Sequence, residues 1–213
     1  ADADNAAKEF YEYTLSLIDQ KVSTPGDDMI TRLAHVTENN QKLTKNQIIC
    51  TVILLLNAGH EATVNTIGNS IVTLANNNID TLNLDKTYNI KNIIEELIRF
   101  DSPLQFFQRW VLDDDYVGDV EVKKHSKVAI LLGSANRDAD SFMEPDQINF
   151  ERSNLSHTSF GGGVHFCLGA HLARLELEVS FHNLFSNSIL LESQPERTGA
   201  FGIRGYKEIK VKI

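Results

Sequence analysis

Residues 160–174, F-G-G-G-V-H-F-C-L-G-A-H-L-A-R, decide the fold, and they hold one of the chain's two cysteines. Gly161, Gly162 and Gly163 permit positive φ and let the backbone come close to a flat ligand. The pattern turns helical directly afterwards, so the spacing predicts a helix over about 168–185 with Cys167 at its N-terminus. The positive end of the helix dipole and its unpaired amide donors favour the thiolate, which is the form that binds metals. From the residues alone, Cys167 is a metal-binding thiol or else a small buried hydrophobe beside a glycine turn.

Upstream, apolar residues at helical spacing predict a helix over 6–22, ended by Pro25-Gly26, and a short one over 28–37. Polar residues 38–43 read as a loop. Thr44 and Gln47 then form a capping-box signature ahead of a long helix running to Ala75. Its first half is apolar nearly all round, which predicts a central buried helix. Gly59, in its middle, costs about 1 kcal/mol against alanine and is either tolerated or marks close approach to the backbone. A further helix over 92–100 stops before Ser102-Pro103, because the residue preceding a proline avoids the α region.

Beyond it the period becomes strand-like over 106–111, 120–122 and 128–132, with Asp113-Asp114-Asp115 as a solvated turn. Residues 135–149 read as irregular and 200–213 as a terminal hairpin. The fold class is therefore mainly α with small peripheral antiparallel β-sheets.

At 213 residues the chain is long enough for one domain with a core, or for a fraction of a larger one. A net charge of −9 argues against a nucleic-acid surface. Cys50, in an apolar helical run, and Cys167 suggest no disulfide framework, and a thiolate ligand needs reducing conditions, so a cytoplasmic location is expected. Residues 1–10 are polar and acidic, unlike a signal peptide, and the chain begins at Ala1 rather than Met. The longest apolar run, 48–56, is too short to cross a bilayer. A soluble chain with no membrane partner, cut from a longer one, is expected.

The quoted stretch resembles the haem-binding loop of the cytochrome P450 family, F-G-x-G-x-(H/R)-x-C-x-G, at Phe160, Gly161, Gly163, His165, Cys167 and Gly169. The resemblance implies haem b, iron protoporphyrin IX, with Cys167 as axial thiolate, His165 on a propionate and Phe160 packed beside the sulfur. A thiolate ligand pushes electron density onto iron and favours O–O cleavage. Glu96 and Arg99, three apart on one helix face, can form a charge-assisted pair. With the following Asp-Ser-Pro they resemble the family's Glu-x-x-Arg motif, whose implied role is to brace the segment beneath the loop.

A third residue, usually arginine, completes that network in the family. The likeness through Ala135-Asn136-Arg137-Asp138, Phe142 and Pro145-Asp146 puts Gln147 where arginine is common. A weaker network is therefore expected, or one completed by Arg137 or Arg152. Arg109, ten positions after Arg99, is implied to reach the second propionate with its guanidinium fork.

Residues 57–63 resemble the family's oxygen-activation motif, (A/G)-G-x-(D/E)-T, at Ala58, Gly59 and Glu61. Ala62 stands in the threonine's place, and Thr63 follows about 100° further round the helix. A methyl group neither donates nor relays a proton, so water or a substrate hydroxyl is expected to bridge to Glu61. Leu55, Leu104, Phe106, Phe107 and Phe201 match the family's substrate-contact segments and would line an apolar pocket. His35, His125, His157 and His182 have no convergent partners in sequence and are expected at the surface. The cysteines and histidines show no zinc-ligand spacing.

Residues 1–213 thus resemble the C-terminal haem-binding part of a single P450 domain. The function implied is that of a haem-thiolate monooxygenase, which inserts one atom of O2 into a small apolar organic substrate. Its electrons would come from a ferredoxin and ferredoxin reductase or a similar donor. A peroxide-using or rearranging haem-thiolate enzyme and a non-catalytic haem-binding fragment are the alternatives. Half of such a domain leaves a large apolar surface to be covered.

Overall fold

A computed structural model describes residues 2–38 and 41–213 and divides into two units, Ala1–His60 and Glu61–Ile213. In the first unit α1 (Asp2–Ser23) and α2 (Met29–His35) precede a minimal hairpin, β1 (Thr37–Glu38) with β2 (Gln41–Lys42). The loop expected over 38–43 is thereby replaced at its ends by paired strands, and Asn39 and Asn40 lie outside the described residues. Asp28 caps α2 by accepting from Thr31 N–H at 2.9 Å, and Lys21 beside it holds its carboxyl down to about 2. Ile18, Ile48 and Ile49 are buried together, with Leu15, Leu33 and Val52 packed on them.

Thr44 and Gln47 open α3 (Lys45–Asn76) as a reciprocal cap: Thr44 N–H donates to Gln47 Oε1 at 2.8 Å and Gln47 N–H to Thr44 Oγ1 at 3.3 Å. The expectation that the first half of this helix is buried does not hold. Ile48 and Ile49 are covered, but Leu54 is 65% exposed, and Leu56, Ala58 and Gly59 are exposed too. The helix is apolar all round, yet the chain supplies neighbours to one side of it only. Among the described residues α3 is the one helix long and apolar enough, by length and composition, to cross a membrane, which the short run 48–56 did not indicate.

In the second unit the latter half of α3 is interior. Val72 and Leu74 are buried there, and Asn69 donates to Asp101 C=O at 3.2 Å and Arg204 C=O at 3.0 Å, so the buried amide is satisfied. After α4 (Leu84–Thr87), α5 (Ile90–Phe100) packs on α7 (Ala170–Leu184). Ile93, Ile94 and Leu97 meet Leu177, Phe181 and Phe185 in this core, with Phe181 and Phe185 stacked at 5.4 Å between centroids. Burying side chains of this size contributes roughly 1.5–3 kcal/mol each.

Among the described residues there are four two-stranded antiparallel sheets, one of them the hairpin of the first unit. β3 (Phe107–Trp110) pairs with β6 (Lys127–Ile130), setting Arg109 opposite Val128. β4 (Asp115–Val117), expected as part of a turn, pairs instead with β5 (Val120–Val122), and a short α6 (Leu132–Ala135) follows β6. The terminal segment does not fold back on itself as expected. β8 (Val211–Lys212) pairs with β7 (Leu190–Leu191), and Ile203 and Tyr206 bridge to Leu104 and Arg197, because nearby exposed backbone edges outcompete local pairing.

Candidate functional site

The site is built on α5. Glu96 and Arg99, spaced to share a helix face, form a two-pronged pair at 2.7 and 2.8 Å, and they are 0% and 1% exposed. Arg152 is the third member, its Nε 3.2 Å from Glu96 Oε2, while Asn149 N–H donates to Glu96 Oε1 at 2.9 Å. Gln147 contributes only its carbonyl, accepting from Arg99 at 3.3 Å and from Arg152 at 3.1 Å. Of the two arginines anticipated as substitutes, Arg137 turns away to Phe100 C=O and Asp146. Arg99 also donates to Asn136 C=O at 2.8 Å and Pro145 C=O at 2.9 Å, so one guanidinium ties the irregular 135–149 segment to the helix.

The cysteine loop is anchored to the same helix just before it begins, where Ser159 Oγ donates to Ile98 C=O at 3.2 Å. Gly161 and Gly163 have φ of 71° and 59°, a region that side chains resist, so the glycines are needed where they stand. Gly161 N–H donates to Thr158 C=O at 2.8 Å, and Cys167 N–H closes the loop onto Phe160 C=O at 2.8 Å. A 3-10 turn (Gly163–His165) and a further turn intervene before α7, so the helix begins at Ala170 rather than near 168. Backbone curled back to Phe160 cannot enter the helix at once.

Cys167 is a free, exposed cysteine, which removes the buried-hydrophobe reading within this chain. Around it Val164 is 96% and Leu168 88% exposed, and Phe166 and Leu172 are exposed as well. Gly169 precedes α7, and a Cβ added there meets nothing within 4 Å. His165 is exposed and makes no hydrogen bond or ion pair among the described residues. Arg109 is exposed on β3, where its guanidinium bonds only Gln108 C=O at 2.9 Å and lies 5.8 Å from the Phe107 ring.

Two of the expected pocket segments meet: Leu104 bridges Ile203, and the Phe106 and Phe201 rings lie 5.1 Å apart. Beside them a cavity of about 250 Å³ is lined by Gln105, Phe201 and the 197–200 turn. Phe107 is exposed at the start of β3. On α3, Glu61 is exposed, Ala62 C=O accepts from Thr66 Oγ1 at 2.8 Å, and Thr63 is half-buried. Leu55, Ala58 and Gly59 belong to the other unit, and a Cβ added at Gly59 meets nothing within 4 Å. Among the described residues no group of three or more His, Cys, Asp or Glu converges as a metal cage.

Sequence reasoning missed a second charged cluster. His157, expected at the surface, has a side chain only 2% exposed, and its Nε2 lies 3.1 Å from Glu95 Oε2. Arg174 grips the same carboxylate with two bonds of 2.6 and 2.8 Å and lays its guanidinium 4.4 Å from the Phe160 ring centroid. Burial pushes the Glu95 carboxyl up, but bonds from Arg174 and His157 outweigh it and hold the group down to about 2. The bond to Glu95 likewise raises Arg174. No local spacing pairs residues 62 and 79 positions apart; the only signal was the doubled Glu95-Glu96, whose side chains leave the helix about 100° apart.

Known proteins share this chain's sequence pattern and fold. The cytochrome P450 family model matches residues 85–198, which contain α5, the platform and the loop. Cytochrome P450 109 of Bacillus spizizenii is 38% identical over 208 residues, covering 95% of this chain and 51% of its own length. The steroid C26-monooxygenase of Rhodococcus jostii is 34% identical over 213 residues, with 99% and 45% covered. CYP109Q5 from Chondromyces apiculatus superposes with a TM-score of 0.92 at 31% identity, covering 99% of this chain and 55% of that one. The chain spans about half the length of the curated relatives it matches. With a family match over the platform and loop, and with shared fold along nearly its whole length, the chain belongs to the cytochrome P450 family.

Proposed function

We propose that the protein is a haem-thiolate monooxygenase that inserts one oxygen atom of O2 into an apolar organic substrate. Its electrons come from a ferredoxin and its reductase or a similar donor. The observation that carries this reading is Cys167: a free, exposed cysteine in a glycine loop closed onto Phe160 and rimmed by exposed apolar side chains. The donor set fits haem b, the family's cofactor. It offers one thiol for iron, a guanidinium and an imidazole that pair with no carboxylate among the described residues for two propionates, and an apolar surround for the macrocycle. Thiolate-bound haem supplies an electron-rich iron that favours O–O cleavage.

The chain's own residues then have these roles. Cys167 Sγ is the ligand, and the bond from its N–H to Phe160 C=O restrains the backbone that carries it. Gly161 and Gly169 carry no side chain at the two ends of the loop, and Phe160 packs behind the sulfur. Arg109 and His165 hold the propionates; Glu96 and Arg99 brace the platform. Ala58 and Gly59 leave the central helix open to close approach, and Glu61 delivers protons. Ala62 has no hydroxyl, so the relay passes through water or a substrate hydroxyl, with Thr63 one residue further round.

Leu104, Phe106, Phe107 and Phe201 offer apolar side chains to the substrate from the second unit, and Leu55 is assigned the same role by the family resemblance alone. An apolar substrate of steroid or polyketide size is supported by the names of relatives, a steroid C26-monooxygenase and a polyketide biosynthesis P450 of Bacillus subtilis. The chain is the C-terminal haem-binding part of its domain, and the cytoplasm is its location. Ala62 favours one second reading, a peroxide-using or rearranging enzyme that needs no threonine-type relay. The test is the absorption spectrum of the reduced, carbon-monoxide-bound protein. A strongly red-shifted Soret band lost in Cys167→Ala is expected, and haem incorporation without such a band overturns the proposal. Turnover with NAD(P)H and a ferredoxin system, against turnover with peroxide alone, separates the two readings.

A further inference from the structure

We propose that Glu95, His157 and Arg174 form a clamp that positions the Cys167 loop, with Phe160 as the element through which they act. Residues 162–169 are exposed, so little among the described residues packs on the outside of the loop. Where the sulfur sits therefore depends on the two ends from which the loop is hung. His157 stands ten positions before Cys167 and Arg174 seven after it. Both bond one carboxylate, that of Glu95 on α5, at 3.1 Å and at 2.6 and 2.8 Å. A single rigid group thus fixes the entrance and the exit of the loop together.

Phe160 transmits the constraint. Arg174 covers one part of its ring at 4.4 Å, and the His157 ring lies 5.8 Å and the Phe166 ring 6.3 Å away. Its carbonyl accepts the Cys167 N–H, so displacement of the ring moves the backbone bonded to the cysteine. An arginine suits the position because its planar fork can bind a carboxylate with one edge while its face stacks on an aromatic ring, which lysine cannot do. Glu95 and Glu96 divide the labour: the latter binds the irregular segment, the former the loop.

The inference rests on the thiolate reading only for its spectroscopic readout. The first measurement is amide hydrogen exchange in residues 160–170 of the haem-free protein carrying Arg174→Gln or Glu95→Gln. Loss of charge-assisted bonds is expected to speed loop exchange about tenfold or more, while the core amides of α5 change less. Arg174→Lys, which keeps the charge without the fork, is expected to fall between. Lys207→Gln, which breaks an exposed pair with Glu196, is expected to leave the loop unchanged. In the haem-loaded, reduced, carbon-monoxide-bound protein the glutamine variants are expected to convert part of the red-shifted band to an unshifted one.

Unchanged loop exchange in both glutamine variants overturns the clamp. Equal acceleration in α5 and the loop also overturns it, because the cluster would then contribute only global stability. A red-shifted band left intact in both variants denies the positioning of the sulfur. Faster loop exchange with no red-shifted band even in the unsubstituted protein leaves the clamp standing and removes the thiolate reading instead.

Discussion

The platform under the loop and the loop itself are made from opposite materials. Glu96, Arg99 and Arg152 are buried charges with nearly every donor and acceptor satisfied by side chains or carbonyls of the same chain. Cys167 and its neighbours are exposed, apolar and joined to the chain by few bonds. Buried ion pairs cost desolvation and are tolerated only when their bonds are complete, so the platform must be self-sufficient. A binding surface must keep its valences open. Rigidity and availability are thus assigned to different residues.

The largest effect that would break this contrast is expected at Glu96. Glu96→Ala leaves two buried guanidinium groups without their carboxylate, and a loss of about 3–5 kcal/mol is expected in chemical denaturation. A loss below 1 kcal/mol would mean that the network is hydrated and not a platform. Acid should act on the clamp next. The Glu95 carboxyl sits at about 2 in the fold against 4.5 unperturbed, so its stabilisation is complete above about 4.5 and lost as pH falls toward 2. At about 1.4 kcal/mol per unit that difference has a ceiling of about 3.4 kcal/mol, which solvent screening at this partly exposed group reduces. The stability gap between the unsubstituted protein and Glu95→Gln should close over this window, and a gap that persists at pH 2 would contradict the assignment.

Smaller changes address the open face. Arg109→Gln is expected to weaken haem retention about tenfold through loss of one charge-assisted bond, measured by haem transfer to an acceptor protein. Cys167→Ala should shift the stability of the haem-free protein by no more than about 0.5 kcal/mol, because an exposed side chain packs on little. A larger loss would make the cysteine structural. Ala62→Thr is expected to change the peroxide released per turnover only a few-fold, since a water already serves the relay in this proposal. Unchanged turnover and peroxide release would remove that water from the account.

Much of this was legible in the sequence because it is local. The glycine spacing, the Thr44-Gln47 cap and the Glu96-Arg99 pair each lie within one or two turns, where geometry follows from residue offsets. Arg152 could be named only as one of two candidates and the His157 contact not at all, since their partner carboxylates lie 56 and 62 positions away and only the packed irregular segment brings them together. The exposed first half of α3 defeated a different rule. Apolarity all round reports what a helix requires, not how many neighbours the chain provides. The terminal segment failed similarly, as alternation marked it as strand without naming a partner.

The Glu96 carboxylate has a consequence for the order of folding. Arg99 is available to it within one helical turn, but Arg152 and the Asn149 amide arrive only after a loop of more than 50 residues has closed. Until then Glu96 has Arg99 alone to compensate a charge that ends fully buried. Docking of α5 and ordering of the irregular segment are therefore bound into one kinetic event. A route that completes the hydrophobic core first and the ion network afterwards is expected to be disfavoured.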